Sequence, residues 1–359
     1  MKLSIFITLF ISISTSYVAA SSLDPIIPYL SVHSQNYSAT CPVNQILHDL
    51  DGDSLSRGEF AYTHNQLEIG TELSGWTIGV FQRYDYLMQF SNDTARYMYQ
   101  KNNDIGIDAN EEYEIYLQAN HLRSNGIGIG YKYSFSEKLS SKLRLNLLRS
   151  SDMTDGIITG DLSTSDDSYS SDLELDYVYG EDSILGRPPE NISGYGYSID
   201  IDFEWAVNDN LNMLFEGRDL LSRLRWDNIT ATQAVATTNT IALGDNGDVD
   251  LRPAISGVEY YKDHTQKLPA RYLINGRYKV TRGYELGAEI FAVDKYIFPR
   301  ILANWNYGEL YLNSSYDFKA EAIGVGFSYG YIDMQLKLDS LNIEKANSIE
   351  FALNFSYPL

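Results

Sequence analysis

Apolar and polar residues alternate with a period of two along most of this chain. Tyr195, Tyr197, Ile199, Ile201, Phe203 and Trp205 interleave with Gly196, Ser198, Asp200, Asp202 and Glu204. Ile127, Ile129, Tyr131, Tyr133 and Phe135 interleave with Gly128, Gly130, Lys132 and Ser134. The same alternation runs through 76–90, 113–120, 270–280, 323–329 and 332–339. A period of two gives a strand one greasy face and one polar face. Soluble antiparallel sheets alternate too, but their apolar faces are mostly aliphatic. Here the apolar faces are loaded with Tyr and Trp near the strand ends, as interfacial aromatic girdles are.

The connections carry a second pattern. Short turns fall at Ser74-Gly75, 136–138, 208–210, Arg282-Gly283 and 307–309. Longer polar stretches fall at 91–110, 150–168 and 244–253. Membrane barrels keep short turns on the periplasmic side and long loops outside. On that rule 211–242 and 254–281 are long strands rising above the bilayer as an extracellular wall. About 9–11 residues suffice to cross it. Segment 180–194 interrupts a long descending strand.

The reading is therefore all-β, a closed antiparallel transmembrane β-barrel. Counting from Glu59 gives about 13 strands, and single-chain bacterial barrels have even numbers. Fourteen is the expected count, within a range of about 12 to 16. The missing strand lies either in 21–58 or at Ser124-Asn125-Gly126, where Asn-Gly is a strong hairpin signal. Residues 1–20 have Lys2, a greasy core and a small-residue ending at Ala19-Ala20, the form of a secretory signal. Residues 21–58 hold Pro25, Pro28 and Pro42 and read as irregular, either a periplasmic lead-in or a lumenal plug. Residues 59–359 are the expected barrel.

Composition narrows the classes. Beyond the signal, no apolar run is long enough for a spanning helix. The chain nevertheless has 29 Tyr, 14 Phe and 4 Trp, which suits an apolar outside with a polar inside. A formal net charge of −21 argues against nucleic acid as a partner. The one cysteine, Cys41, excludes an internal disulfide framework.

The last strand is the most specific signal. Phe351, Leu353, Phe355, Tyr357 and Leu359 occupy alternate positions up to the end of the chain. With the signal and the girdles, this resembles Gram-negative outer-membrane β-barrel proteins of the porin-like kind. Those proteins end on a large apolar residue, usually Phe. Leu359 and the neighbouring Pro358 depart from that pattern. The resemblance implies residence in the outer membrane, contact with its lipid and lipopolysaccharide, and recognition of this strand by the barrel assembly machinery. It identifies no subfamily and leaves oligomeric state open.

Three constellations carry possible chemistry. Asp49, Asp51, Asp53 and Glu59 resemble a calcium loop, but Glu59 comes one residue early and the glycine is misplaced. A solvated acidic turn is the simpler reading, and no other cofactor is implied. The second constellation is the pore lining. Arg83, Lys132, Lys142, Arg144, Arg271, Arg277 and Lys279 face the same interior as Glu114, Asp200, Asp202, Glu204, Glu285 and Glu289. Such groups either pair structurally or form a constriction with a transverse field. The row Asp200, Asp202 and Glu204 would attract cations. The third is catalysis, for which His264 beside Asp263 is the leading pair. Adjacent strand residues point to opposite faces, and no nucleophile elbow or zinc spacing accompanies them. The chain reads as a non-enzyme, a porin-like channel for small polar solutes or cations. The alternatives are a sealed structural or binding barrel and a membrane-embedded hydrolase.

Overall fold

The computed structural model describes residues 25–107, 110–164, 169–182, 191–237, 241–243, 249–251 and 254–359. The signal expected over 1–20, and residues 165–168 and 183–190, lie outside the described residues. The first strands are β1 (Ile27–Ser38), β2 (Phe60–Leu73), β3 (Trp76–Phe90), β4 (Glu112–Ser136) and β5 (Leu139–Thr164). Next come β6 (Tyr169–Tyr179), β7 (Gly194–Ala206), β8 (Leu211–Thr237) and the small hairpin of β9 (Ile241–Leu243) and β10 (Val249–Leu251). Then follow β11 (Ala254–Gln266), β12 (Arg271–Thr281), β13 (Tyr284–Val293) and β14 (Tyr296–Tyr307). The last four are β15 (Leu310–Asp317), β16 (Ala322–Tyr329), β17 (Ile332–Leu338) and β18 (Ser348–Ser356). Helices α1 (Val43–Ile46) and α2 (Asn92–Asn102) lie in the first two long connections.

All strands except β9 and β10 form one 16-stranded antiparallel sheet. β6 and β7 stand end to end between β5 and β8, so they fill a single place in the wall. β11 and β12 share a second place, both against β8. β1 pairs with β18 from Tyr29↔Ser356 to Tyr37↔Ser348, which closes the ring at fourteen places. Beyond β18, Tyr357 N–H donates to Pro28 O and Leu359 N–H to Ile26 O.

The closing partner is the missing strand, found in 21–58, one of its two expected places, and over 27–38 it replaces the reading of that segment as irregular or a plug. Most of its first half is β1, hydrogen-bonded on both sides. Its outward residues change from Leu30 and Val32 to Ser34 and Asn36, so the greasy stripe stops halfway. Pro28 sits near the strand's start, where a missing donor is tolerated. The other candidate is corrected too. Ser124-Asn125-Gly126 is no hairpin, because β4 runs straight through it. The strand slips there instead, with Ser151 of β5 as the extra residue beside Arg123 and Ser124. The stretch 150–164, expected as loop, is strand as well.

The wall is uneven. β8 has 27 residues and β17 has 7. At about 3.3 Å per residue β8 is two to three times the length a bilayer crossing takes. Its upper half stands with β4, β5, β6 and β11 above the apolar band. α1 and α2 pack on the outside of this upper wall, where Ala95 and Ile46 meet Ala61, Met88, Phe90 and Leu117. Ser91 caps α2 by accepting from Thr94 N–H at 3.0 Å. Below, the outer face is apolar: Ile78, Val80, Ile127, Leu145, Ile301 and Val325 are all exposed. Trp76, Trp205, Trp305 and Tyr131 fringe its lower edge. A closed sheet with this band has the geometry of a membrane-spanning barrel.

The seam makes a sharp prediction. Val32→Pro removes a ladder donor from a strand that needs both neighbours, which in hydrocarbon costs several kcal/mol. The folded, heat-modifiable band on a denaturing gel should be lost, while the same band persists for Val32→Thr.

Candidate functional site

The lumen is where the polar faces meet, and it is the candidate site. On its lower side lie two adjoining cavities of about 390 and 350 Å³ that share His33, Arg300 and Glu350. A third, of about 850 Å³, opens at the short-turn mouth between Lys132, Glu204, Arg277 and Glu285. Together they make a polar chamber on the periplasmic side.

Above the chamber the wall is pinched shut. Phe60 on β2 stacks on Tyr296 of β14, with ring centroids 3.5 Å apart and planes at 10°. Phe298 packs edge-on to Tyr37 at 5.0 Å and lies 5.7 Å from Phe291. β1 and β2 stand opposite β13 and β14 in the ring, so this aromatic layer spans the lumen. Gln89 Nε2 donates to Asp294 Oδ2 at 2.9 Å, tying β3 to the β13–β14 turn. Gln266 Nε2 donates to Asn120 Oδ1 at 3.1 Å and His121 O at 2.9 Å, tying β11 to β4.

The lobe between β3 and β11 is filled by an apolar core. Phe81, Leu122, Leu148, Met153, Leu224 and Trp226 are all buried, the last with no exposure. Two glycines make room for it. A Cβ on Gly126 would meet Phe81 Cζ at 2.3 Å, and one on Gly194 would meet the Trp226 ring at 2.6 Å. The glycine of the misread Asn-Gly pair therefore serves packing.

Between these layers and the chamber lies a knot of charge. Asp219 has a fully buried carboxylate that accepts from Arg83 Nη1 at 2.8 Å, Arg83 Nη2 at 2.6 Å and Arg271 Nη2 at 2.7 Å. Arg83 Nε also donates to Asp85, and His64 Nδ1 lies 2.7 Å from Asp85 Oδ1. Asp219 reaches the knot because β8 bulges there: Arg218, Asp219 and Leu220 stand against the single residue Asp200. Asp219 takes φ 55°, and its N–H donates to Asp200 Oδ1 at 2.8 Å. The knot thus clamps β2 and β3 to β8 and β12. A second knot joins Arg300 to Asp317, Glu289 and Glu350 at 2.8, 2.9 and 3.1 Å, with Lys337 also on Glu350.

Eleven of the thirteen expected lining residues border these cavities. Lys279 is exposed at the mouth across from Glu285, and Glu114 is exposed high on the tall wall across from Asp161. Glu114 is therefore not beside the chamber, because β4 is far longer than one crossing. Of the two roles open to the row Asp200, Asp202 and Glu204, the contacts are mostly pairing. Glu204 pairs with Lys132 at 2.7 Å, Asp202 with Arg218, and Asp200 accepts from Asn146 and the Asp219 backbone. Two of the three acids thus stand against a cation, and Asp200 is held by uncharged donors.

The other expected constellations do not assemble. Among the described residues no three His, Cys, Asp or Glu side chains are placed to share a metal ion. The 49–53 turn is held instead by Gln45 Nε2, which donates to Leu50 O and Asp53 O, and Asp53 faces Lys345 at 3.3 Å. His264 turns away from Asp263 and lies 2.7 Å from Asp155 Oδ2. In the first long connection the Cys41 thiol is buried, and that burial pushes it up to about 11.

Of the two knots, the residues that the sequence did not single out for the site are Asp85, Asp219, Arg300, Asp317, Lys337 and Glu350. Strand parity would have found Asp85, two residues from Arg83. Nothing in the periodicity marks Asp219, since the bulge takes it out of phase.

No family model matches this sequence, and no curated protein matches it. Among solved structures it is similar to the TodX deltaS2S3 mutant monoaromatic hydrocarbon channel, at 11% identity and TM-score 0.46, covering 94% of this chain and 91% of that one. It is also similar to the CymD monoaromatic hydrocarbon channel, at 10% identity and TM-score 0.44, covering 94% and 89%. A Pseudomonas aeruginosa FadL homologue follows at 9% identity and TM-score 0.41, covering 93% and 90%. Likeness at this level bears on neither cargo nor mechanism.

Removing Asp219 from the central knot leaves Arg271 buried without its acid and Arg83 with Asp85 alone. Asp219→Ala should cost about 3–5 kcal/mol of barrel stability, read as a clear fall in the unfolding midpoint in detergent. Glu204→Ala, at an exposed pair, should cost about 1 kcal/mol or less.

Proposed function

We propose that this protein is an outer-membrane channel held in a closed state, gated at the pinch. The observation that carries this is the fully buried Asp219, which clamps facing parts of the wall through Arg83 and Arg271. The open polar-solute porin expected from sequence fits poorly, because aromatic and apolar layers span the lumen above the chamber. A chamber lined by both signs of charge and open below, with a seal above, supports passage only when the seal parts. Purified protein in planar bilayers should rarely conduct. Asp219→Asn, which weakens the clamp while keeping its shape, should raise the open fraction roughly tenfold for about 1.4 kcal/mol taken from the closed state. Large steady openings of the native protein would refute the closed state. Silence of both proteins would favour the sealed binding barrel.

One observation favours a cargo class. The layer that closes the lumen above the charged chamber is built of the Phe60, Tyr296 and Phe298 rings. Such a surface admits small aromatic or apolar molecules by stacking and burial, and we infer that these are the cargo. The ¹⁹F line of fluorobenzene should broaden with the folded barrel and sharpen again with Phe60→Leu/Tyr296→Leu. An unbroadened line with the native protein would remove this reading and leave the gate untouched.

A further inference from the structure

The outer surface carries arginines on a chain whose overall charge is strongly negative. Tyr195 of β7 lies in register with Arg149 of β5 on one side and Arg225 of β8 on the other. Arg223 lies one row below Arg225, opposite Tyr197. All three arginines are exposed. They face outward, because the strand neighbours Leu148, Ser150, Leu224 and Trp226 are buried on the inside. Arg149 holds its guanidinium 5.7 Å from the Tyr195 ring centroid. Arg225 is steadied by Asp227 at 2.8 Å and Asp263 at 3.6 Å. Among the described residues neither Arg149 nor Arg223 has a carboxylate at ion-pair distance.

Their height is set by the strand. From Trp205 at the lower fringe to Tyr195 is about ten residues of β7, or roughly 33 Å of strand. A tilt of about 35–45° turns this into roughly 25 Å along the barrel axis, the height of a barrel's apolar band. The arginines therefore lie together at the upper edge of the band on one side of the barrel, at the level of the outer-leaflet headgroups. Two strand spacings, about 10 Å, separate β5 from β8, so one large headgroup can touch both. Guanidinium forks bind phosphate oxygens in pairs. A net charge of −21 would otherwise repel an anionic membrane face.

We propose that Arg149, Arg223 and Arg225, grouped round Tyr195, dock the phosphorylated headgroup of an outer-leaflet glycolipid. The proposal rests on the membrane-spanning reading. The test reconstitutes the full chain into phosphatidylcholine vesicles doped with lipid A, extracts it in mild detergent and counts retained lipids by native mass spectrometry. The native protein should retain lipid A, and Arg149→Gln/Arg223→Gln should retain roughly tenfold less with its folded band intact. Arg282→Gln, at the opposite mouth, should retain as much as the native protein. Arg149→Lys should fall between, keeping the charge and losing the fork. Equal retention by the double variant would overturn the site. So would displacement of the lipid by inorganic phosphate as readily as by free lipid A, which would leave a plain anion site. A native chain that fails to insert in the vesicles would overturn the membrane reading, and the docking site with it.

Discussion

The structure depends on the pairing of β1 with β18. In hydrocarbon an unpaired strand edge cannot turn to water, so every N–H and C=O in the band must find a strand partner. The register from Tyr29↔Ser356 to Tyr37↔Ser348 removes the only two edges the fourteen-place wall would have left. Once the ring is closed, each residue is committed to one face by parity. That commitment puts Ile78 and Val80 in the apolar band and Arg83 and Asp85 in the lumen on the same strand. The polar interior is therefore a consequence of closure and alternation before it is a feature of function.

Closure does not by itself block the lumen. The block comes from what the inner faces carry. Glycines at 126 and 194 let Phe81 and Trp226 lie over the neighbouring strand, and the apolar core grows in the space they leave. The aromatic layer then meets across the other lobe. A buried ion pair contributes little net stability compared with an apolar substitute, while its loss on one side is costly. The Asp219 knot thus acts mainly by selecting one arrangement of the walls. Strands that could drift apart are held at the distance two guanidinium groups set.

Much of the fold was legible from alternation alone. The short turns at Ser74-Gly75, Arg282-Gly283 and 307–309 and the height of β8 follow from periods of two and the punctuation between them, while the fourteenth place came from the even-number rule and the expected strand 254–281 is two, β11 and β12. β1 escaped because His33, Ser34, Gln35 and Asn36 are polar on both faces, so no stripe announces a strand. Asn125-Gly126 misled because the same dipeptide serves a hairpin and a close packing contact. Parity assigned Arg83, Arg144 and Arg271 to the lumen, but it says nothing about what lies across it. Whether Asp202 is a free charge or the partner of Arg218 depends on which strand stands opposite. Asp219 was illegible for a stronger reason: a bulge breaks the rule by which facing is read.

The bulge also bears on how such a barrel could open. The ladder of backbone hydrogen bonds fixes neighbours in the wall, so a gate cannot work by separating adjacent strands within the band. It has to work through contacts that cross the lumen, which here are side-chain contacts: the Phe60–Tyr296 stack, Gln89 to Asp294 and the Asp219 knot. Asp219 sits at φ 55° in a stretch of β8 where three residues face one. A bulge of this kind lets a strand bend locally while the pairs on either side persist. The residue that clamps the walls thus lies at an irregularity in the wall itself. On the gated reading proposed above, closing contacts and hinge would be the same few residues, and the long strands on either side of them need not come unpaired.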